Sequence, residues 1–467
     1  MKQEFRIERD SLGEVQVPVN AYFGAQTARA VQNFPISGLR LSSRFIAAQA
    51  MVKRAAAVAN MKLDQLDRRI GEAITQACDE IIAGKLHDQF VVDVYQAGAG
   101  TSQNMNANEV IATRALEILG EERTSYTLIH PNDHVNMAQS TNDTIPTSIH
   151  ISTALALQDF YPVLNDLQNE LFRKAKEYRK IFKSGRTHLQ DAVPITLGQE
   201  FSGYAAAIQD QTEHLKQTGE KLLALPLGGT AAGTGLNAHP RYRIEAVGEI
   251  SRLTGLPFQP AANLFKAIQN PDPVLQVSGA LRSLTVTLCK IASDIRLLSS
   301  GPATGLYEIK LPPVQPGSSI MPGKVNPVMA EMLNMICYQV IGCDTTIAHA
   351  TAAAQLELNV MMPVIAFNIL HSIEILTNGV RVFNEFCIRE IQPNPQKCLE
   401  YLERNPIIVT ALNQHIGYMK AAEIAKRSYL EGKSVKQLVL EENLLSEDQL
   451  NEILDYSAMA NIDRDDS

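Results

Sequence analysis

The sequence predicts a mainly α-helical protein built around a bundle of long helices, and three observations support this prediction. Five segments of about 25 residues or more repeat apolar residues at helical spacing. They are 147–182, 197–225, 273–300, 327–353 and 356–386. Strand-like alternation of apolar and polar residues is nearly absent. Some long segments, such as ALRSLTVTLCKIASDIRLL at 280–298, are apolar over more of their surface than one core requires, which suggests burial against other subunits.

A chain of 467 residues is long enough for two or three domains. The segment QPNPQKC at 392–398 contains two prolines that interrupt helix formation and indicates a boundary. Beyond it, Ser446 and Gln449 have the spacing of a capping box that begins a short helix. The domains predicted from these features are an N-terminal domain at 1–139, a central long-helix domain at 140–393 and a small C-terminal helical domain at 394–467.

Composition argues against several classes of protein. The net charge of -8 and the lack of a basic cluster argue against nucleic acid as the main partner. The most apolar stretch, at 358–370, is too short to span a bilayer, and the first residues lack the apolar region of a secretory signal. Six cysteines without CxxC spacing favour buried thiols in a reducing compartment. We therefore expect a cytoplasmic protein that contacts neither membrane nor nucleic acid.

Three predicted helix starts carry polar side chains that could hold an anion. Glycine-rich AGAG at 97–100 precedes Thr101, and QSTND at 139–143 precedes Pro146 and a long helix. In GSSIMPGKVN at 317–326, Asn326 is a candidate N-cap and Pro327 a candidate first helical residue. Free backbone N–H groups and the helix dipole make such ends suitable for a dicarboxylate, if the ends meet. Each motif taken alone is more often only a cap.

Histidines mark two further polar sites. His188 lies in GRTHLQD at 185–191, just before a predicted helix, and a lone histidine is more often structural than catalytic. His130 and His134 have the i, i+4 spacing of some metal ligands. Pro131 and the lack of a third obvious ligand argue against a metal there, so no metal or cofactor is expected.

The motifs as a set resemble the aspartase/fumarase superfamily. GSSIMPGKVNP is the signature of that family, and the remaining motifs follow in family order across nearly the whole chain. These are GAGTSQNMNANE, QSTND, GRTHLQDAVPITLGQE, GGTAAGTGLN, SGPATGL and IIVTALNQHIGY. The resemblance implies a homotetramer in which five central helices per subunit form a twenty-helix bundle, with active sites shared between subunits. It also implies reversible anti elimination from a small dicarboxylate to give fumarate, without a cofactor.

The resemblance also assigns roles to individual residues. Ser318 is the expected base that removes a proton beside a carboxylate, through an aci-carboxylate intermediate, with His188 as the second expected catalytic residue. Lys324, Asn326, Thr187 and His188 would bind the carboxylate that becomes the aci form. The other carboxylate and the surroundings of the leaving group would be held by Thr101, Ser140, Thr141, Asn142 and Ser319. Gly317 and Gly323 would let the loop close over substrate.

Sequence differences within the shared motifs distinguish the activities of the family. GTSQNMN, QSTND and LNVMMPV favour an aspartate ammonia-lyase, whereas HPND, GGTA and GAQT favour a class II fumarase, which eliminates water from L-malate. Ala303, where the family usually has arginine, and AAAQ at 352–355 depart from both groups. An inactive structural relative is a distant alternative, although the presence of Ser318, Lys324 and His188 favours an enzyme. The sequence therefore predicts ammonia elimination from L-aspartate.

Overall fold

The computed structural model of the protein describes residues 4–462, and most of them lie in helices. The described residues form seventeen α-helices. They are α1 (Ala25–Asn33), α2 (Ser43–Lys62), α3 (Arg68–Ile82), α4 (Thr101–Ile118), α5 (Thr141–Glu177), α6 (Leu197–Gly219), α7 (Tyr242–Thr254), α8 (Leu264–Gln269), α9 (Asp272–Leu298), α10 (Val328–Ala352), α11 (Met362–Phe386), α12 (Pro395–Arg404), α13 (Asn413–Ile416), α14 (Tyr418–Glu431), α15 (Val435–Glu441), α16 (Glu447–Ile453) and α17 (Tyr456–Ala460). The prediction of a mainly helical protein is confirmed.

The helices belong to two compact units, each assembled from three stretches of chain. The first unit takes in Met1–Tyr161, Glu213–Thr285 and Tyr338–Thr377. The second takes in Pro162–Thr212, Val286–Cys337 and Asn378–Ser467. The division into three domains stays a prediction.

The five long helices of the structure correspond to the five predicted ones, with differences at several of their ends. Helices α6, α9 and α10 begin within one residue of the positions that periodicity predicts, but α11 begins at Met362, so its predicted start at residue 356 is wrong. Helices α5 and α6 end at Glu177 and Gly219, before the predicted ends at 182 and 225. Helix α5 begins at Thr141 and continues through Pro146, so the predicted start at residue 147 is wrong. Proline has no N–H and usually ends a helix. Here it removes a single ladder bond, the one that the carbonyl of Asn142 would otherwise accept, near the start of a helix of 37 residues.

Eight short strands form four two-stranded sheets in the described residues. Their bounds are β1 (Phe5–Asp10), β2 (Gly13–Pro18), β3 (Phe182–Thr187), β4 (Gln190–Thr196), β5 (Ala224–Leu225), β6 (Gln259–Pro260), β7 (Ile309–Lys310) and β8 (Gln392–Pro393). The antiparallel hairpin of β3 and β4 is the one that bears on the site, because Thr187 pairs with Gln190 across a two-residue turn. The sequence did not predict this hairpin.

Each unit has an apolar core of its own. In the first unit, fully buried Ile74, Ile81 and Ile111 belong to a cluster formed chiefly by α2, α3 and α4. In the second, Leu402 and Leu438 belong to a cluster of the short C-terminal helices. The predicted capping box at Ser446 and Gln449 is confirmed at the start of α16. Among residues 4–462, no helix is both long and apolar enough to cross a membrane.

A buried histidine on α5 predicts how the stability of the fold responds to acid. The carbonyls of Leu222 and Ala224 lie 3.2 and 3.1 Å from Nδ1 of His150, and since carbonyls only accept, this nitrogen donates. Burial lowers the pKa of His150 from 6.5 to about 4. The unfolded chain therefore takes up a proton at a higher pH than the folded chain. The stabilisation is complete above pH 6.5 and is lost as pH falls toward 4.

We expect His150→Gln, which does not titrate, to reduce the acid sensitivity of the protein. Between pH 7.5 and pH 5, the free energy of unfolding of the variant should fall by about 2 kcal/mol less than that of the wild type. Urea unfolding at one protein concentration measures this difference, with the exposed His214→Gln as a matched control. Equal acid sensitivity of His150→Gln and wild type would contradict the prediction.

Candidate functional site

Two of the three predicted helix starts lie in the first unit and are joined by one side chain. Gly100 has a φ of 86°, a conformation that favours glycine, and α4 begins directly after it at Thr101. Asn104, one turn further along α4, donates from Nδ2 to the hydroxyl oxygen of Thr141 at 3.1 Å. Thr141 is itself the first residue of α5. The structure thus brings the first turns of α4 and α5 together.

The QSTND segment is fixed by a buried carboxylate. Asp143 is fully buried and accepts N–H groups from Ser140 at 3.0 Å, Gly228 at 3.0 Å and Thr230 at 2.9 Å. Burial raises the pKa of Asp143 to about 6, while the three N–H groups and the charge of Lys53 act in the opposite direction. The glycine-rich run at 227–237 therefore supplies two of the backbone donors to Asp143.

The polar side chains beside Asp143 differ in what they can offer a ligand. The side-chain amide of Asn142 donates to the carbonyl of Ala231 at 2.7 Å, so its Oδ1 is left as an acceptor. The hydroxyl oxygen of Ser140 accepts the N–H of Asn142 at 3.2 Å, which leaves the Ser140 O–H as a donor. One short segment thus carries both an acceptor and a donor.

A fully buried lysine supports this segment from α2. Lys53 is 0% exposed, and its ammonium donates to the side-chain oxygens of Asn136 at 2.8 Å and Gln139 at 2.9 Å. Burial lowers its pKa to about 7, against the opposing effect of Asp143. Lys53, Asn104, Asn136 and Asp143 were not singled out from the sequence. The available signal was that Gln49, Lys53 and Asn60 interrupt the apolar stripe of α2, and all three are buried.

The third predicted anion site is a loop of the second unit. The hydroxyl oxygen of Ser318 accepts two backbone N–H groups, from Ile320 at 3.3 Å and Met321 at 3.0 Å. Ser319 and Lys324 on the same loop are exposed, and Ser318 is half-buried. These two N–H groups point at the oxygen that the family resemblance makes the base.

Contacts at its ends close the loop. The N–H of Gly317 donates to the carbonyl of Lys324 at 2.9 Å, and the side-chain amide of Asn326 donates to the carbonyl of Gly317 at 2.5 Å. A side chain at Gly317 would place its Cβ 2.2 Å from the Lys324 carbonyl oxygen. The prediction that Asn326 caps a helix beginning at Pro327 is wrong. Helix α10 begins at Val328, and the Asn326 side chain closes the loop instead.

A positively charged cavity of about 770 Å³ adjoins this loop within the second unit. Three cationic side chains line it, namely Lys324, Lys310 and Arg296. Asn326 and the SGP residues at 300–302 also contribute to its wall. The cavity therefore favours an anionic ligand.

Thr187 and His188 lie at the tip of the β3–β4 hairpin, both exposed. His188 and Leu189 form its turn with φ values of 56° and 60°, the left-handed conformation that type I′ hairpin turns require. Neither residue is glycine, so the tip carries backbone strain.

Buried charges hold the base of this hairpin. Glu308 is 0% exposed and pairs with Lys183 at 2.8 Å and with Arg186 at 2.9 Å. Lys183 also contacts Glu200 at 2.7 Å. Arg186 directly precedes Thr187, so the ion pair fixes the strand that leads into the turn. Sequence reasoning missed these residues, because their contacts join segments far apart in the chain.

His130 and His134 accept backbone hydrogen bonds. Nδ1 of His134 accepts the N–H of His130 at 2.8 Å, and Nδ1 of His130 accepts the N–H groups of Asn132 and Asp133. Within residues 4–462, no group of three or more His, Cys, Asp or Glu residues could hold a metal ion.

Known proteins resemble the chain over almost its whole length. Residues 13–342 match a family model described as Lyase, and residues 408–461 match one described as Fumarase C C-terminus. Aspartate ammonia-lyase of Bacillus subtilis (strain 168) is 49% identical over 97% of this chain and 95% of that protein. A class II fumarate hydratase of Thermosynechococcus vestitus is 47% identical over 97% of both chains.

Solved structures show the same likeness. A crystal structure of fumarate lyase:delta crystallin from Brucella melitensis, bound to cobalt, matches with a TM-score of 0.95 and 47% identity, covering 98% of this chain and 100% of that one. A class II fumarase from Schistosoma mansoni matches with a TM-score of 0.95 and 39% identity, covering 98% and 99%. Family models, full-length identity and fold agree with the motifs, and the chain is a lyase of the aspartase/fumarase superfamily.

Proposed function

We propose that this protein is an aspartate ammonia-lyase, which converts L-aspartate reversibly into fumarate and ammonia. A base removes a proton from the carbon beside one carboxylate, the electron pair is held as an aci-carboxylate, and the C–N bond then breaks. The electron pair of the C–N bond stays with nitrogen, so the ammonium group leaves as neutral ammonia, and the proton taken from carbon remains on the base until it is released to solvent. Such a reaction needs a base, donors for the developing charge and a pocket that accepts hydrogen bonds from the ammonium group.

Ser318 is the proposed base, acting as its oxyanion. A free serine hydroxyl is too weakly acidic for this at neutral pH, so the oxyanion needs local stabilisation. The two N–H groups that Ser318 accepts, from Ile320 and Met321, supply part of it. The charge of Lys324 on the same loop supplies more, and water exclusion on loop closure would strengthen both effects.

Substrate binding is proposed to draw on several copies of the chain in a homotetramer. Lys324 and Asn326 would hold the carboxylate that becomes the aci form, with Thr187 and His188 from another subunit. The first turns of α4 and α5 would supply Thr101, Ser140, Thr141 and Asn142 from a third, and Ser319 would complete the second carboxylate site. Thr101, Thr187, His188, Ser319 and Lys324 are exposed in the single chain and the others are half-buried, which is consistent with such sharing.

The contact between Asn142 and Ala231 is the observation that carries the choice of substrate. L-Aspartate and L-malate differ at one group, an ammonium against a hydroxyl. An ammonium has only donors, so it needs acceptors around it. Because the Asn142 amide nitrogen is committed to the Ala231 carbonyl, its Oδ1 offers such an acceptor. A buried ammonium left without acceptors would be costly, and selectivity could be large.

A class II fumarase is the second candidate. Full-length relatives of that name are 46–48% identical to this chain, close to the 49% of the first aspartate ammonia-lyase. The spellings HPND at 130–133 and GGTA at 228–231 also favour it.

Purified protein should release fumarate from L-aspartate in preference to L-malate. The physical reason is the acceptor at Asn142, so Asn142→Leu should lower kcat/KM for aspartate by about 100-fold, the loss of a hydrogen bond to a charged group. Ultraviolet absorbance of fumarate measures both reactions. Ready turnover of malate without turnover of aspartate would transfer the assignment to fumarase.

Subunit mixing tests the shared site and the base together. Ser318→Ala and His188→Ala should each lower turnover by several orders of magnitude while keeping the assembly intact. Mixed and allowed to exchange subunits, the two inactive variants should regain part of the wild-type activity through hybrid sites. Absence of recovery after demonstrated exchange would contradict sharing, and a Ser318→Ala variant with near-native turnover would move the base elsewhere.

A further inference from the structure

A series of hydrogen bonds runs from Lys53 through Asn136 and Asn104 to Thr141, and the donors and acceptors along it have a fixed direction. The charged form of Lys53 can only donate, so the atom of Asn136 that lies 2.8 Å from it is the amide oxygen, and the Asn136 nitrogen donates to the carbonyl of Gln139 at 3.4 Å in the same orientation. The same oxygen lies 3.2 Å from the side-chain nitrogen of Asn104. Lys53 thereby determines which way the Asn136 amide faces, and Asn136 determines which way the Asn104 amide faces.

The direction of Asn104 in turn determines what Thr141 does. Thr144 donates its hydroxyl hydrogen to the carbonyl of Ser140 at 2.9 Å, so the orientation of the Asn104 amide follows from its contact with Asn136. The Asn104 nitrogen lies 3.1 Å from the Thr141 hydroxyl oxygen, so this oxygen accepts. A hydroxyl has a single hydrogen, and the Thr141 hydrogen must therefore point away from Asn104. Thr141 is half-buried, at the first position of α5.

We propose that Lys53 is a positioning residue that acts through Asn136 and Asn104 to hold the Thr141 hydroxyl as a donor for a substrate carboxylate. This inference rests on the proposed function, because it assumes a dicarboxylate beside α5. The reverse orientation would turn a lone pair of Thr141 toward the carboxylate and repel it. Because the charged form of Lys53 has no acceptor, the reverse orientation would leave Asn136 presenting N–H groups to an ammonium.

Two substitutions of equal charge and volume separate this proposal from a general effect of buried charge. Asn136→Asp keeps an acceptor toward both Lys53 and Asn104, so the direction of the hydrogen bonds from Lys53 to Thr141 is preserved. Asn104→Asp replaces the donor with an acceptor, so Thr141 must donate inward. We expect succinate, as the probe in calorimetric titration, to bind Asn136→Asp within about threefold of wild type and Asn104→Asp at least about tenfold more weakly. Equal affinities of the two variants would overturn the proposal.

A double-mutant cycle tests the same path should Asn104→Asp fail to fold. Lys53→Met should weaken succinate binding several-fold in the wild-type background and have little effect in a Thr141→Val background, because the hydroxyl that it orients is gone. A purely structural role for Lys53 would weaken binding equally in both backgrounds and would overturn the proposal. Wild-type protein that turns over neither L-aspartate nor L-malate would instead overturn the proposed function.

Discussion

Buried charge is the constraint on which the candidate site depends. Asp143 has no exposed surface, and an ionised carboxylate there would cost several kcal/mol without partners. Its three N–H donors come from the start of α5 and from the glycine-rich turn at 228–230, and Lys53 lies near enough to affect its pKa. These hydrogen bonds join the start of α5 to the glycine-rich turn and position the backbone at 140–142.

In the second unit, a buried carboxylate likewise holds a structural element in place, here the β3–β4 hairpin. Glu308 pairs with two buried or half-buried cations, and one of them, Arg186, stands next to the exposed tip of the hairpin. The tip carries two non-glycine residues in the left-handed conformation, at a cost of roughly 1 kcal/mol or more each. Such a turn persists only where its strands are firmly held. The ion pairs at its base provide that support and direct His188 outward.

The sequence predicts long helices where apolar residues repeat at helical spacing. It does not predict side-chain contacts between segments that lie far apart in the sequence. Helices α6, α9 and α10 begin within one residue of the positions that their apolar period predicts, whereas α5 begins six residues earlier than predicted, because the helix tolerates Pro146 near its start. Asn326 has the identity of a cap, yet its amide is used by Gly317, a partner nine residues away. Lys53 stands in an apolar stripe that predicts only burial. Its hydrogen bonds to Asn136 and Gln139 form only when α2 packs against the segment that precedes α5, so the folded structure is needed to identify them.

The two candidate reactions differ at one group of the substrate, so one or two hydrogen bonds would be enough to separate them while full-length identity stays similar. Aspartate and malate present the same carboxylates, so most of the site should be the same in both enzymes. The acceptor offered by Asn142 depends on a backbone carbonyl at Ala231, and every residue type carries one. The fumarase-like motif GGTA at 228–231 therefore says little about which atom of Asn142 remains free to accept a hydrogen bond. Substrate preference therefore depends on which side-chain atoms remain free to accept hydrogen bonds, and the identity of the residues in a motif does not by itself give this.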